Sequence, residues 1–192
     1  MKIAIGFGVE HIDDAAELYW NAFGPKLNKV LGPRRKALAY IERVMDRSHC
    51  LAATRDGNLL GIAGFKTARS AFVGGQFADM FAVYGFGSLW RSAFLTLLSR
   101  DIENERFLID GIFVAEDQRG KGIGTELLNR LTELAASRGY REIRLDVVDT
   151  NPRARALYER IGFREVNAVE LGVLRHVFGF KSSSTLVRTT DI

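Results

Sequence analysis

Apolar residues recur at helical spacing over residues 12–23, where Ile12, Ala15, Ala16, Tyr19 and Phe23 share a stripe. Asp13 and Asp14 fall in the first turn, where the helix dipole favours anions. Pro33 is suited to open a second helix over residues 33–45, with Leu38, Ile41 and Met45 on its apolar stripe and Arg34, Arg35 and Lys36 off it. Two short apolar runs follow, residues 50–54 and 59–66. Between them Arg55-Asp56-Gly57-Asn58 supplies the Asp-Gly that a tight hairpin turn requires, so the runs read as an antiparallel pair.

Residues 76–99 turn aromatic and aliphatic, and Leu89, Trp90, Phe94, Leu97 and Leu98 recur at helical intervals after the flexible Gly85-Phe86-Gly87. This predicts a helical insertion whose apolar side chains cover the core or an interface, or line an acceptor pocket. Residues 107–114 are strand-like and run into a cluster of glycines. Leu127, Leu128, Leu131, Leu134 and Ala135 then define an amphipathic helix closed by Gly139. In residues 142–148, Ile143, Leu145 and Val147 alternate with charged positions, completing a strand–loop–helix–strand crossover. Asn151 is a good N-cap, with Pro152 at the first helical position and Ala154, Leu157, Tyr158 and Ile161 carrying the period up to Gly162. The tail from Val166 holds at least one more strand, expected at residues 183–188.

Composition narrows the class without changing this picture. With 192 residues, 47% of them apolar and only three prolines, the chain reads as one globular domain with a substantial core. The net charge of +4 is spread along the chain and favours anionic partners only weakly. Cys50 is the single cysteine, which excludes an internal disulfide or a thiolate metal cluster and fits a reducing compartment. No run of about 18 apolar residues exists and the start lacks a leader-like pattern, so a cytoplasmic protein is expected, with no membrane partner.

The chemistry concentrates in Arg119-Gly120-Lys121-Gly122-Ile123-Gly124-Thr125. Between a strand and a helix, free N–H groups and the helix dipole converge on a place suited to phosphate oxygens, and glycines let the backbone approach them. A P-loop needs Ser or Thr after Gly-Lys, but Gly122 follows Lys121. A dinucleotide fingerprint needs Gly or Ala where Thr125 stands. What remains is Arg-x-x-Gly-x-Gly, formed by Arg119, Gly122 and Gly124.

With that loop, and with Asn151-Pro152-Arg153-Ala154-Arg155-Ala156-Leu157-Tyr158-Glu159-Arg160-Ile161-Gly162-Phe163 downstream, the sequence resembles the GCN5-related N-acetyltransferase (GNAT) superfamily. The second segment is similar to the family's Asn-x-x-Ala-x-x-x-Tyr-x-x-x-Gly-Phe element. The resemblance implies an α/β (α+β) fold with a mixed, central, splayed β-sheet flanked by helices. It also implies acetyl-CoA as co-substrate, no metal, and transfer of the acyl group to an amine acceptor by direct attack in a ternary complex. The backbone around Ile112, Phe113 and Val114 is then expected to pair with the pantetheine arm. The loop from Arg119 to Thr125 is expected to take the pyrophosphate, with Asn151 and Arg153 close by and Lys121 and Arg155 adding positive charge.

Tyr158 matches the family's general acid, because a phenol with a pKa of about 10 is still protonated when the departing thiolate needs a proton. Asp110 is the first candidate for the base, its alternation with Leu108 and Ile112 placing it on their face of the strand. Glu116 at the strand exit is the second candidate and Asp79 the third. His176 is read as structural. Two other classes compete: a CoA-binding sensor or interaction protein without turnover, and a nucleic-acid module built on the arginines of residues 153–160. A homodimer is left open.

Overall fold

The computed structural model describes all residues except 68–69, 90, 93–105, 173–174, 176–178 and 192, and the backbone alone at 25–26. Its strands are β1 (Lys2–Ile5), β2 (Cys50–Arg55), β3 (Asn58–Lys66), β4 (Phe107–Val114), β5 (Glu142–Val148), β6 (Arg164–Glu170) and β7 (Ser182–Thr189). They form one seven-stranded sheet in the order β1-β2-β3-β4-β5-β7-β6. All pairings are antiparallel except β4 with β5, which is parallel and is bridged by the predicted crossover helix α4 (Ile123–Ser137). The mixed, helix-flanked sheet inferred from the sequence is present.

Helix α4 buries Leu127, Leu128, Leu131 and Ala135 against Phe65, Phe107, Ile109, Ile143 and Leu145 on one face of the sheet. On the other face α1 (Ile12–Leu31) places Ala15 and half-buried Tyr19 and Phe23 against Ile62, Phe72 and Phe113. Leu128 is 0% exposed, so truncating it leaves a cavity that the close-packed layer cannot fill. A Leu128→Ala chain is expected to lose about 2–5 kcal/mol of stability, read as a lowered denaturation midpoint with an unchanged m-value.

Helix α1 runs beyond residue 23, through Gly24 and Pro25, because Trp20, Val30 and Leu31 continue one buried stripe. Gly24 is where this stripe needs space: a Cβ there would stand 2.9 Å from the Trp20 ring. Helix α2 spans Arg34–Val44, and the most buried stripe is Ala37, Tyr40, Ile41 and Val44, one position away from the stripe read from the sequence. Two strands carry too little hydrophobic signal to be found by periodicity. β1 is four residues long, and every residue of the edge strand β6 is exposed.

Helix α3 (Phe77–Tyr84) begins the expected insertion, with Gln76 and Asp79 forming a reciprocal capping box. It buries Met80 and Tyr84, but Phe77, Phe81, Phe86 and Leu89 face outward, Phe86 being 90% exposed. Phe86 and Leu89 therefore do not cover the core. Trp90, Phe94, Leu97, Leu98 and His176 lie outside the described residues.

The feature that shapes the site is a bulge in β4. Gly64 pairs with Gly111 and Phe65 with Ile109, so Asp110 has no partner on β3. One extra residue reverses which face each later side chain takes. Phe107 and Ile109 point to the α4 side, whereas beyond the bulge it is Ile112 and Val114 that pack on that side and Phe113 that turns to α1. Asp110 does not share a face with Ile112, because the simple alternation breaks at Asp110 itself.

Candidate active site

β4 and β5 pair only at Phe107–Ile143 and Leu108–Arg144, then diverge into a wedge-shaped cleft. Ala115 N–H donates to Leu60 O at 2.9 Å, so alternation along the antiparallel pair turns the backbone of Phe113 toward β3. The N–H and C=O groups of Ile112 and Val114 consequently face the cleft. Of the three residues expected to pair with a pantetheine arm, Ile112 and Val114 present backbone there, and Phe113 does not.

A single 3₁₀ turn, Glu116–Gln118, leads from β4 to the glycine loop at the mouth of this cleft. Arg119 Nε donates to Val114 O at 3.2 Å, tying the loop to the end of β4. Gly120 and Gly122 take φ values of +78° and +82°, in the left-handed region where a side chain is strained. The first α4 hydrogen bond among the loop contacts runs from Glu126 N–H to Gly122 O. The N–H groups of residues 120–125 donate to no described residue and lie together at the positive end of the helix dipole. Donors gathered in this way suit an anion. Ile123 contributes only its N–H, since its side chain is in the core. Gly124 sits under α5 (Pro152–Arg160): a Cβ there would meet Leu157 at 3.4 Å and Val114 at 3.9 Å. Lys121 is exposed, its Nζ 3.2 Å from Gln118 Oε1.

Because a Cβ at Gly122 would meet nothing within 4 Å, a substitution there acts through backbone strain rather than a clash. Gly122→Val is expected to cost about 1–3 kcal/mol of local conformational energy, to misalign the N–H groups, and to raise the KM for acetyl-CoA about 10–100-fold. Initial rates at varied acetyl-CoA check this.

Across the cleft, Asn151 Oδ1 accepts from Ala154 N–H at 3.3 Å, so its oxygen caps α5. Arg153 is exposed at the start of α5. Arg155 is taken up by Glu159 at 2.8 Å, Glu165 at 2.7 Å and Ser184, an engagement that removes it from the cations available for phosphate. Tyr158 is half-buried, its ring 6.0 Å from Phe163, and its hydroxyl makes no hydrogen bond to a described residue. Burial pushes this phenol up to about 12.

On the opposite side, Asp110 is half-buried, and desolvation raises its carboxyl above the usual aspartate range, against the opposing pull of Val73 N–H and the Lys66 ammonium. Glu116 is exposed at the turn. Asp79 accepts from Gln76 N–H and pairs with Arg43 at 3.0 Å, which gives it a structural duty in α3. Sequence periodicity treated Tyr19 as packing alone, but the structure places it beside Asp110, whose charge raises the phenol further after burial has done most of the work. The signal for it was the polar end of an otherwise apolar residue on the helix facing β4.

A sequence profile of the acetyltransferase (GNAT) family matches residues 12–163. The chain belongs to this family. Thialysine N-epsilon-acetyltransferase of Bos taurus is 32% identical over 88 residues, 46% of this chain and 48% of that protein. Streptothricin acetyltransferase of Streptomyces lavendulae is 34% identical over 89 residues, 46% of this chain and 47% of its own length. The GNAT chain thus aligns with about half the length of these relatives. An N-acetyltransferase structure from Staphylococcus aureus Mu50 superposes with a TM-score of 0.67 at 18% identity, covering 98% of this chain and 100% of that one. At that identity the likeness speaks to the GNAT fold alone. No helix among the described residues is long and apolar enough to cross a membrane.

Proposed function

We propose that the chain is an N-acetyltransferase that moves the acetyl group of acetyl-CoA to a primary amine by direct attack in a ternary complex. The observation that carries this reading is the continuity of backbone that no strand or helix pairs. Cleft-facing groups of Ile112 and Val114 lead to the N–H nest of residues 120–125. A thioester arm carrying amides, followed by a pyrophosphate, matches that order of donors and acceptors. Strand-like pairing with Ile112 and Val114 orients the arm, and a β4 N–H polarises the thioester carbonyl.

An ammonium acceptor first loses a proton to Asp110, whose carboxyl burial raises above the usual aspartate range and so makes a better proton acceptor. The nitrogen lone pair then forms the C–N bond. As the adduct collapses the C–S bond breaks, the nitrogen releases its second proton to solvent, and Tyr158 gives its proton to the sulfur before being reprotonated. The products are the N-acetyl amine, the CoA thiol and one net proton. Glu116 is the alternative base, reached through water at the strand exit.

The relatives' names, thialysine and streptothricin acetyltransferase, support a small amine as acceptor. Thiol release from acetyl-CoA, measured against small amines, amino acids, polyamines and peptide N-termini, tests the reading. Release that depends on one class of amine, with the acetylated product found by mass spectrometry, is the expected result. Tight acetyl-CoA binding without release by any amine would instead favour a sensor.

A further inference from the structure

The segment between β3 and α3 returns along the end of β3, where Ala71 bridges Lys66, and so reaches the bulge in β4. Phe72 lies directly over Gly64, where a Cβ would stand 2.8 Å from the Phe72 Cβ. Gly64 is the β3 partner of Gly111, the residue after Asp110. The missing side chain lets Phe72 settle onto the sheet beside the bulge. Val73, next in the chain, donates its N–H to the half-buried Asp110 carboxylate.

The chain just before β2 aims that N–H. Met45 and Val73 form an antiparallel bridge, and Asp46 N–H donates to Phe72 O at 2.9 Å. A bridge closed through the flanking residues leaves the N–H and C=O of the central pair pointing outward, so Val73 N–H faces away from Met45. The Asp46 side chain fixes the same segment a second time. Its Oδ2 accepts from Ser70 Oγ at 2.7 Å. Its Oδ1 accepts from Ser48 N–H at 3.0 Å and Ser48 Oγ at 2.6 Å, capping the 3₁₀ turn Arg47–His49.

His49 braces the start of the segment. Its Nδ1 lies 2.8 Å from Asp46 Oδ2 and its Nε2 3.1 Å from Thr67 Oγ1, while Thr67 N–H donates to Ser70 O at 2.8 Å. Against desolvation, the hydrogen bonds from Ser48 and Ser70 and the neighbouring His49 hold the Asp46 carboxyl below the usual aspartate range, so it accepts as a carboxylate at neutral pH. Besides Val73 N–H, Asp110 faces the Lys66 ammonium of β3 and the Tyr19 phenol of α1.

We propose that Asp46 is a positioning residue for Asp110: with its own N–H on Phe72 O and its carboxylate on Ser70, it holds residues 70–73 so that Val73 N–H stays on the Asp110 carboxylate. Asp46 acts on the reaction only through that hydrogen bond. This rests on the acetyl-transfer reading above, in which Asp110 takes the proton of the amine.

The test uses Ser70→Ala and Asp46→Asn in the intact chain. Ser70→Ala removes the link to the segment and leaves Ser48 and His49 on Asp46, whereas Asp46→Asn removes the charge and keeps the backbone N–H on Phe72 O. With Val73 N–H loosened, Asp110 holds its proton more tightly. Titration of the Asp110 carboxyl carbon by ¹³C NMR should move to higher pH in both variants, and the acidic limb of kcat/KM, read by thiol release, should move with it. The loss in kcat/KM is expected to be about tenfold larger on the acid side of that limb than on the plateau above it, with the KM for acetyl-CoA within about twofold of wild type. Leu128→Ala, which loosens the core on the other face of the sheet, should move neither the titration nor the limb. An Asp110 titration unchanged in both variants overturns the proposal, as does an equal move in Leu128→Ala. A titration that moves while the limb stays in place upholds the anchoring and removes Asp110 as the base. If no amine releases thiol even from the wild type, the transfer reading falls and the NMR titration alone decides the anchoring.

Discussion

Tyr158→Phe is expected to lower kcat by about 10²–10⁴-fold while acetyl-CoA binding and thermal stability stay near wild type. The reason lies in what the hydroxyl does and does not touch. Its ring packs against Phe163, and Phe preserves that contact. The hydroxyl has no hydrogen-bond partner among the described residues, so removing it orphans nothing. With burial holding the phenol at about 12, it is protonated throughout the neutral range and can give its proton to the departing thiolate. The variant forces that sulfur to leave as an unprotonated thiolate or to wait for water. Single-turnover kinetics with saturating acetyl-CoA separate this from a binding defect. A variant that turns over at the wild-type rate would remove the acid role from Tyr158.

Asp110→Asn is expected to cost activity and to stabilise the fold at neutral pH. Burial raises the Asp110 carboxyl above its unfolded value of about 3.9. Between the unfolded and folded values the native state binds more protons, so this group's contribution to stability falls as pH rises through that window. Above the folded value the whole cost of the desolvated charge is present, reduced by Val73 N–H and Lys66. Asn removes the ionisation. The melting temperature of the variant relative to wild type should therefore climb from acid toward neutral pH. Over the same range kcat/KM should fall about 10²–10⁴-fold and lose its acidic limb, which in the wild type lies above the range of an ordinary aspartate. An Asn variant with the wild-type acidic limb would assign the base elsewhere, Glu116 being next.

The glycine loop and the start of α5 were legible in the sequence because backbone geometry there depends on residue types that announce themselves. Gly120 and Gly122 occupy positions that only glycine takes without strain, and Asn151 with Pro152 marks a helix start by capping rules alone. The α4 stripe and the β2–β3 hairpin follow from periodicity in the same way. What the sequence hid were features decided by tertiary context. The bulge at Asp110 has no local signature beyond Gly111, yet it reverses the faces of Ile112 and Phe113 and so parts Asp110 from Ile112. Tyr19 looks like an ordinary stripe residue until the packing of α1 sets its phenol beside Asp110. β6, exposed at every position, is held by its pairing with β7 and not by burial of its own side chains. Arg155 resembled a phosphate ligand by sequence proximity, but Glu159 and Glu165 claim it.

The most direct measurement is an acetyl-CoA titration of the uniformly ¹⁵N-labelled chain, following each backbone amide. If the cleft between β4 and β5 holds the pantetheine arm and the glycine loop holds the pyrophosphate, the largest shifts will fall on Ile112, Val114 and the amides of residues 120–125, with Phe113 moving less than its two neighbours. Shifts centred on another part of the sheet, or no response from residues 120–125 at saturating acetyl-CoA, would contradict the account.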